Sequence, residues 1–380
     1  MDGFDEPLGA TSNSTSTNSL FSLNKRDSYS SILDQYGEEA ENEETRTECV
    51  MPDPTVLTLN CANRGRRTSV FADAPILDKT VIVLVGLPAS GKSTISNHLQ
   101  HYLKQTPATA HLRCKIFNAG QVRRKLSCRG RPMMLANNSS EDLFNPKNTM
   151  KKEKYAKITL EQLFGELDRD LCDVAIFDAT NSTEARRAFL FHEIRSYNAR
   201  LTGEFRITPM VLQVGCVNEN FVKFNIHNKT FNQDYFDKPY DFAVRDFARR
   251  LTHYSSQFVA FDKLEFDRHV AEGKLVNEDT GLFWFNIVNA GLLTNVERSH
   301  FPPKCASIVK NTVSTIEAFV TGYAKIYGHQ YIEQVKSFAN GLSTLKASQD
   351  VSQTKRVPYS LILSEILDHD YFEQLMKTAC

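Results

Sequence analysis

Gly86-Leu87-Pro88-Ala89-Ser90-Gly91-Lys92-Ser93 fits the pattern GxxxxGK[ST] at every fixed position, and Thr94 follows it. The glycines allow a tight turn and let backbone N–H groups approach phosphate oxygens. Lys92 has the reach to touch β- and γ-phosphates, and Ser93 offers a hydroxyl to Mg²⁺. The bland alternative is a glycine turn whose lysine points to solvent. Against it stands the position of the loop, between an apolar run, Val81 to Val85, and a helical stretch. Asp178 is the second element, at the end of the apolar run Val174-Ala175-Ile176-Phe177. A carboxylate there either caps the next helix or holds Mg²⁺ through water, and its place downstream of the phosphate loop favours the metal. ATP and Mg²⁺ are therefore the expected cofactors, with Lys92 and Asp178 as catalytic groups and Ser93 and Asp178 as metal ligands.

The acceptor of a phosphoryl group must sit in line with the γ-phosphate. Asn118 and Gly120 follow a second strand, and Thr180 and Asn181 follow the third, so both loops border one crevice. The remaining polar groups include Arg123 and Arg124, Lys229, and Arg249, Arg250 and Tyr254. Arg250 and Tyr254 stand four residues apart, on one helix face. Guanidinium forks match phosphate oxygens. Cations converging from distant segments suggest an anionic acceptor, although any single arginine is more often a surface charge.

These groups must be positioned by alternating strands and helices. Val81–Val85, Leu112–Phe117, Val174–Phe177, Pro209–Val214 and Leu282–Val288 read as strands. Helices are expected over 92–104, 149–167, 182–197, with Ser182 or Thr183 as cap, and 240–254. In 149–167, Tyr155, Ile158, Leu163 and Phe164 are the candidate inward residues. The pattern predicts an α/β fold: a doubly wound, mostly parallel sheet with helices on both faces. Beyond 300, helices are expected over 308–327 and 331–338, and a weaker one over 359–367.

Residues 1–76 are rich in Ser, Thr, Asn and Glu and lack apolar periodicity, so a disordered regulatory tail is expected. Within it, 38–48 is an acidic run, and Arg66-Arg67-Thr68-Ser69-Val70 has the form favoured by basophilic kinases such as the cAMP-dependent enzyme. Ser69 is the candidate phosphosite and that kinase its candidate partner; a chance basic patch is the alternative. The 45 basic and 45 acidic residues balance, which gives no field to attract nucleic acid. No apolar run approaches the roughly 20 residues of a membrane span. The N-terminus lacks the form of a secretory signal. The eight cysteines include no CxxC pair, so zinc and thioredoxin-like chemistry are not expected, and a reduced cytoplasmic location is.

Several segments together resemble the kinase half of the 6-phosphofructo-2-kinase/fructose-2,6-bisphosphatase family, in its fungal, kinase-dominated form. They are GLPASGKSTIS (86–96), FNAGQVRR (117–124), LFNPKN (143–148), FDATNSTEARR (177–187), the 216–235 stretch containing NIHNK, and DFARRLTHY (246–254). The resemblance covers about 80–292 and bounds a kinase domain at 77–300. It implies transfer of the γ-phosphate of ATP to the 2-hydroxyl of fructose 6-phosphate, yielding fructose 2,6-bisphosphate, a regulator of glycolysis. It implies that Arg123, Thr180, Lys229, Arg250 and Tyr254 contact the sugar phosphate. It places Asn225 to Lys229 beside ATP and gives Asp178 and Cys216 as active-site residues.

There are departures. Ser90 stands where animal relatives often carry Arg. The family's further sugar-phosphate arginine falls at 151–155, where this chain has none; Lys154 is a candidate point-charge substitute. No Arg-His-Gly occurs, so no bisphosphatase activity is expected. Residues 301–380 are expected to form a helical extension that packs on the core or acts in assembly, with a homodimer as the candidate. Two other readings remain at this stage: a P-loop kinase acting on nucleic-acid ends or a tRNA-linked substrate, and a non-catalytic nucleotide-binding regulator.

Overall fold

The run Lys79-Thr-Val-Ile-Val-Leu-Val85 forms strand β1, and each of its seven residues is buried. A strand rich in β-branched residues with no polar face is stable only when both of its faces are covered. β1 lies inside a six-stranded sheet of order β2-β3-β1-β4-β5-β6. The others are β2 (Cys114–Asn118), β3 (Val174–Asp178), β4 (Ile207–Gly215), β5 (Phe283–Val288) and β6 (Leu293–Arg298). The first five run parallel, and β6 pairs antiparallel to β5. The computed structural model describes residues 78–128, 149–200, 205–231, 235, 238–275, 281–299, 301, 305–347, 363, 365 and 367–373. The acidic run, Ser69 with its arginines, and LFNPKN at 143–148 lie outside the described residues.

The helices are α1 (Lys92–Gln105), α2 (Ala119–Cys128), α3 (Thr149–Asp168), α4 (Glu184–Arg200), α5 (Glu219–Lys229), α6 (Tyr240–Ser255), α7 (Lys263–Leu275), α8 (Ser307–Tyr323) and α9 (His329–Ala347). Alternation along β1 sorts the layers. Ile82 and Leu84 face Leu99 and Leu103 of α1 and Val313, Ile316 and Phe319 of α8. Val81 and Val83 face Leu160, Leu163 and Leu167 of α3 and Leu190 and Ile194 of α4. Each such aliphatic side chain removed from water contributes about 1.5–3 kcal/mol, so both layers are well anchored. The doubly wound, mostly parallel sheet expected from sequence is the one observed.

Three features differ from the pattern-based reading. In α3 the residues packed inward are Ala156, Leu160, Leu163 and Leu167, with Phe164 half-buried against them, while Tyr155 and Ile158 are half-buried outside that cluster. β6 was not expected: LTNVER is polar, and as an edge strand it is mostly exposed, so it carries no apolar alternation. The helix expected over 308–327 is interrupted by a π-helical turn, Ala324–Gly328. Residues after 300 supply α8 to the core of the sheet itself, within one compact unit, Phe71–Cys380. Among the described residues no helix is long and apolar enough to cross a membrane.

The crossover β1–α1–β2 skips the slot that β3 fills, and β3–α4–β4 passes over β1. The chain direction therefore diverges on either side of β1, and the crevice beyond the carboxyl ends of β1, β3 and β2 is where ligands bind in such sheets.

Candidate functional site

The loop after β1 owes its path to two glycines. Gly86 has φ +150°, and a Cβ there would lie 2.3 Å from the Val214 carbonyl oxygen of β4. Gly91, at φ +96°, takes the left-handed conformation that opens α1. The first turn of α1 has no side-chain cap and no acidic residue of its own, so no capping side chain occupies its N–H groups at the positive dipole end. That is the arrangement a phosphate needs. The Gly86 N–H donates to the Thr180 carbonyl at 3.1 Å, tying this loop to the one that follows β3.

Lys92 is buried, at 8% exposure. Its ammonium donates to the carbonyls of Gly86, at 2.8 Å, and Leu87, at 2.6 Å. Burial lowers its pKa to about 8; Asp178 opposes that shift and Lys229 adds to it. A lysine folded onto its own loop, in charge range of a carboxylate, is a cation held ready for an anion.

Asp178 ends β3 and is buried. The register Asn118↔Asp178 sets the ends of β2 and β3 side by side. One carboxylate oxygen, Oδ2, accepts from Ser93 Oγ at 2.7 Å and from Asn118 Nδ2 at 2.6 Å. Asn118 Oδ1 in turn accepts the Gln121 N–H at 3.0 Å, fixing the start of α2. The Ser93 hydroxyl and the Asp178 carboxylate are hard oxygen donors of the kind Mg²⁺ takes. Among the described residues no group of three or more His, Cys, Asp and Glu side chains forms a metal cage. An ion here would share its coordination with phosphates and water, as Mg²⁺ usually does.

The loop after β3 is held from below by a residue whose role sequence reasoning missed. Arg187 is fully buried. It donates to the Asn181 and Val259 carbonyls at 3.1 and 2.8 Å and forms a bidentate pair with Glu265, with Nε to Oε1 at 2.8 Å. Burial raises the Glu265 pKa, but Arg187 reverses this and holds the carboxyl below its usual range. Asn181, at φ +46°, donates through Nδ2 to the Leu84 carbonyl at 2.6 Å. Thr183 caps α4 through the Arg186 N–H at 3.3 Å. The Ala179–Asn181 turn, and with it Thr180, is therefore rigidly set.

The cationic residues come from further away. Arg250, on α6, is buried, whereas Arg249 is exposed. Its Nε lies 3.0 Å from Asp246 Oδ2, and the guanidinium sits 5.4 Å from the centre of the Tyr235 ring. Tyr235 donates to the same Asp246 oxygen at 2.6 Å. Tyr254, one turn later, is half-buried, and the Lys152 ammonium stands 5.1 Å from its ring centre. Lys154, the candidate substitute, is exposed; Lys152 is the lysine of that segment that reaches Tyr254. Lys229 ends α5 within electrostatic range of Lys92. Arg123 lies on α2, half-buried.

Cys216 follows β4 and lines a small cleft with Leu87, Pro88, Ala89, Ser90, Val222 and Leu251. Burial pushes its thiol up to about 12, against a weak opposing contact from Asn225 Nδ2 at 3.6 Å. A thiol that stays protonated is a poor nucleophile.

The family model described as 6-phosphofructo-2-kinase matches residues 70–295, more than half of the chain. The chain belongs to the 6-phosphofructo-2-kinase family. It is 34% identical over 212 residues to 6-phosphofructo-2-kinase 1 of Saccharomyces cerevisiae, covering 55% of this chain and 24% of that one. It is 27% identical over 223 residues to 6-phosphofructo-2-kinase/fructose-2,6-bisphosphatase 1 of Rattus norvegicus, covering 57% and 41%. With the Homo sapiens protein of that name it is 25% identical over 297 residues, covering 74% and 57%. The matches thus span between about a quarter and just over half of these relatives' own lengths. A solved fungal RNA kinase superposes with a TM-score of 0.30 at 10% identity, covering 79% of this chain and 96% of that one. A likeness that low carries no argument.

Proposed function

We propose that the chain is an ATP-dependent 6-phosphofructo-2-kinase that transfers the γ-phosphoryl group of ATP to the 2-hydroxyl of fructose 6-phosphate. The bond from the γ-phosphorus to the bridging oxygen breaks, a bond to the sugar's 2-oxygen forms, and the hydroxyl proton leaves. The products are ADP and fructose 2,6-bisphosphate. The observation that carries this reading is the Lys92–Ser93–Asp178–Asn118 cluster at the carboxyl ends of neighbouring strands, in a chain of this family.

On this reading the Gly86–Thr94 loop and Asn225 to Lys229 border the nucleotide. Lys92 exchanges the Gly86 and Leu87 carbonyls for phosphate oxygens. Ser93 and Asp178 hold Mg²⁺, which neutralises charge on the β- and γ-phosphates when bound. On the same reading Asp178 accepts the hydroxyl proton. Arg123, Thr180, Lys229, Arg250 and Tyr254, joined by Lys152, grip the 6-phosphate and sugar and aim the 2-hydroxyl along the line of attack. The cytoplasm is the compartment of this reading, in keeping with the unpaired thiols of Cys114, Cys172, Cys216 and Cys305.

The test is to incubate the purified chain with ATP, Mg²⁺ and fructose 6-phosphate, with a 5′-hydroxyl oligonucleotide as competing acceptor, and to locate the new phosphate by phosphorus-31 and carbon-13 NMR. Phosphate on the sugar's 2-position is expected. Transfer to the oligonucleotide, or to no acceptor, overturns the reading.

A further inference from the structure

Resting on the nucleotide-binding part of the proposed function, we infer that Tyr331 of α9 is a positioning residue for the nucleotide side of the site, acting through Asn225. Its hydroxyl donates to Asn225 Oδ1. That bond turns the Asn225 amide so that Nδ2 faces the Cys216 sulfur at 3.6 Å. Cys216 lines the cleft formed by Leu87 to Ser90 of the phosphate loop. Asn225 also stands one helical turn before Lys229, whose charge acts on Lys92. A residue more than a hundred positions downstream in the chain thus reaches the loop through two side chains.

The surrounding backbone is built to hold Tyr331 in place. Between β5 and β6, Asn289, Ala290 and Gly291 are successively left-handed, at φ 49°, 56° and 87°. Two consecutive non-glycine residues there are strained, so the surrounding contacts must hold them. Asn289 Oδ1 accepts the N–H groups of Val217 and Asn218 at 2.9 and 3.1 Å, pinning the segment from Cys216 to α5. The same turn meets the π-helical turn backbone to backbone. A Cβ on Gly291 would lie 2.8 Å from the Ala324 nitrogen, and one on Gly328 would lie 2.5 Å from the Ala290 oxygen. Single π-helical turns of this kind shift the register of the helix that follows. Here that helix is α9, and Tyr331 lies in its first turn. Its ring packs 5.7 Å from Phe221 and 5.5 Å from Phe224, both on α5. Burial keeps the Tyr331 phenol well above its usual titration range, so it remains a donor at any working pH.

Ring and hydroxyl can be separated experimentally. Tyr331→Phe keeps the packing on Phe221 and Phe224 and removes only the donor. The expected result is a KM for ATP raised roughly fivefold, the size of one neutral hydrogen bond, with KM for fructose 6-phosphate and kcat within twofold of the parent. ADP binding by titration calorimetry should weaken by the same factor, which reads the nucleotide site without any acceptor. Asn225→Ala should weaken ADP binding at least as much, and the double variant should be no worse than Asn225→Ala alone. Equal ADP affinity in Tyr331→Phe and the parent, or additive losses in the double variant, overturns the inference and leaves the proposed kinase reaction standing. A parent chain that binds no nucleotide overturns both.

Discussion

Lys92 should cost the nucleotide-free protein stability, and the cost should have a defined pH signature. Its ammonium is buried, and desolvation lowers its pKa from the usual 10.5 to about 8, with Asp178 pulling upward and Lys229 pushing down. The gap corresponds to roughly 3 kcal/mol. Between these two values the unfolded chain binds more protons at this position than the folded one, so stability rises with pH there. Below about pH 8 the lysine is charged in both states and the full penalty is present; above 10.5 it has gone. Lys92→Met keeps the stem and removes the charge. The perturbation is therefore Lys92→Met, and the assay is urea unfolding of both proteins from pH 7 to 10.5. Groups that titrate elsewhere act on both proteins and cancel in the difference. The stability of the parent relative to the variant should climb by up to about 1.4 kcal/mol per pH unit, and by roughly 3 kcal/mol in all. At pH 7 the variant should transfer no phosphate. A difference that stays flat across the range refutes the reasoning, because it would mean that the ammonium keeps its hydration inside the loop.

Arg250→Ala should raise KM for fructose 6-phosphate roughly 10- to 100-fold, the loss of a charged hydrogen bond, with kcat nearly unchanged; a fall in kcat alone would contradict the anchoring role. Lys152→Ala should also raise that KM, and Lys154→Ala should not, because the Lys152 ammonium stands over the Tyr254 ring and Lys154 is exposed; steady-state kinetics with sugar phosphate as the varied substrate decides between them. Arg187→Met should destabilise the fold by about 3–5 kcal/mol by stranding the buried Glu265 carboxylate. Because Arg187 holds the Glu265 carboxyl below its usual range, the pair's contribution is complete above that range and is lost as pH falls through the lowered value, so the gap between parent and variant in urea unfolding should narrow on acidification.

The parts of the site that were legible in sequence are those written in contiguous residues. GLPASGKS and FDATN each place backbone and side chains within one turn, and short-range geometry dictates where their groups go. Strand order then brings them together, since β3 inserts beside β1 and sets Asp178 against Ser93 at 2.7 Å. What was not legible depends on contacts between distant segments. Arg187 reads as an ordinary charge on a helix, and only Glu265, 78 residues on, shows it to be a buried clamp. Lys152 and Lys154 are indistinguishable by type, and the direction of the helix selects the first. The turn at 289–291 carries Asn and Gly, usual turn residues, but Ala290 gives no sign of its positive φ.

The division between legible and illegible residues has a chemical consequence. Charges proposed to meet phosphate, such as Lys92, lie on tight local motifs, as phosphoryl transfer tolerates little displacement. The groups that aim those motifs come from the rest of the chain: Arg187 beneath the loop after β3, Asn289 behind the loop after β4, Tyr331 behind Asn225. Each acts through side-chain hydrogen bonds to a distant segment, and where the partner is buried, loss of the bond leaves it unsatisfied and not merely in weaker contact. Substitutions at these supporting positions should therefore alter substrate affinity without touching substrate. The helices after 300 take part in that support directly, since α8 closes one face of the sheet and α9 delivers Tyr331 to Asn225.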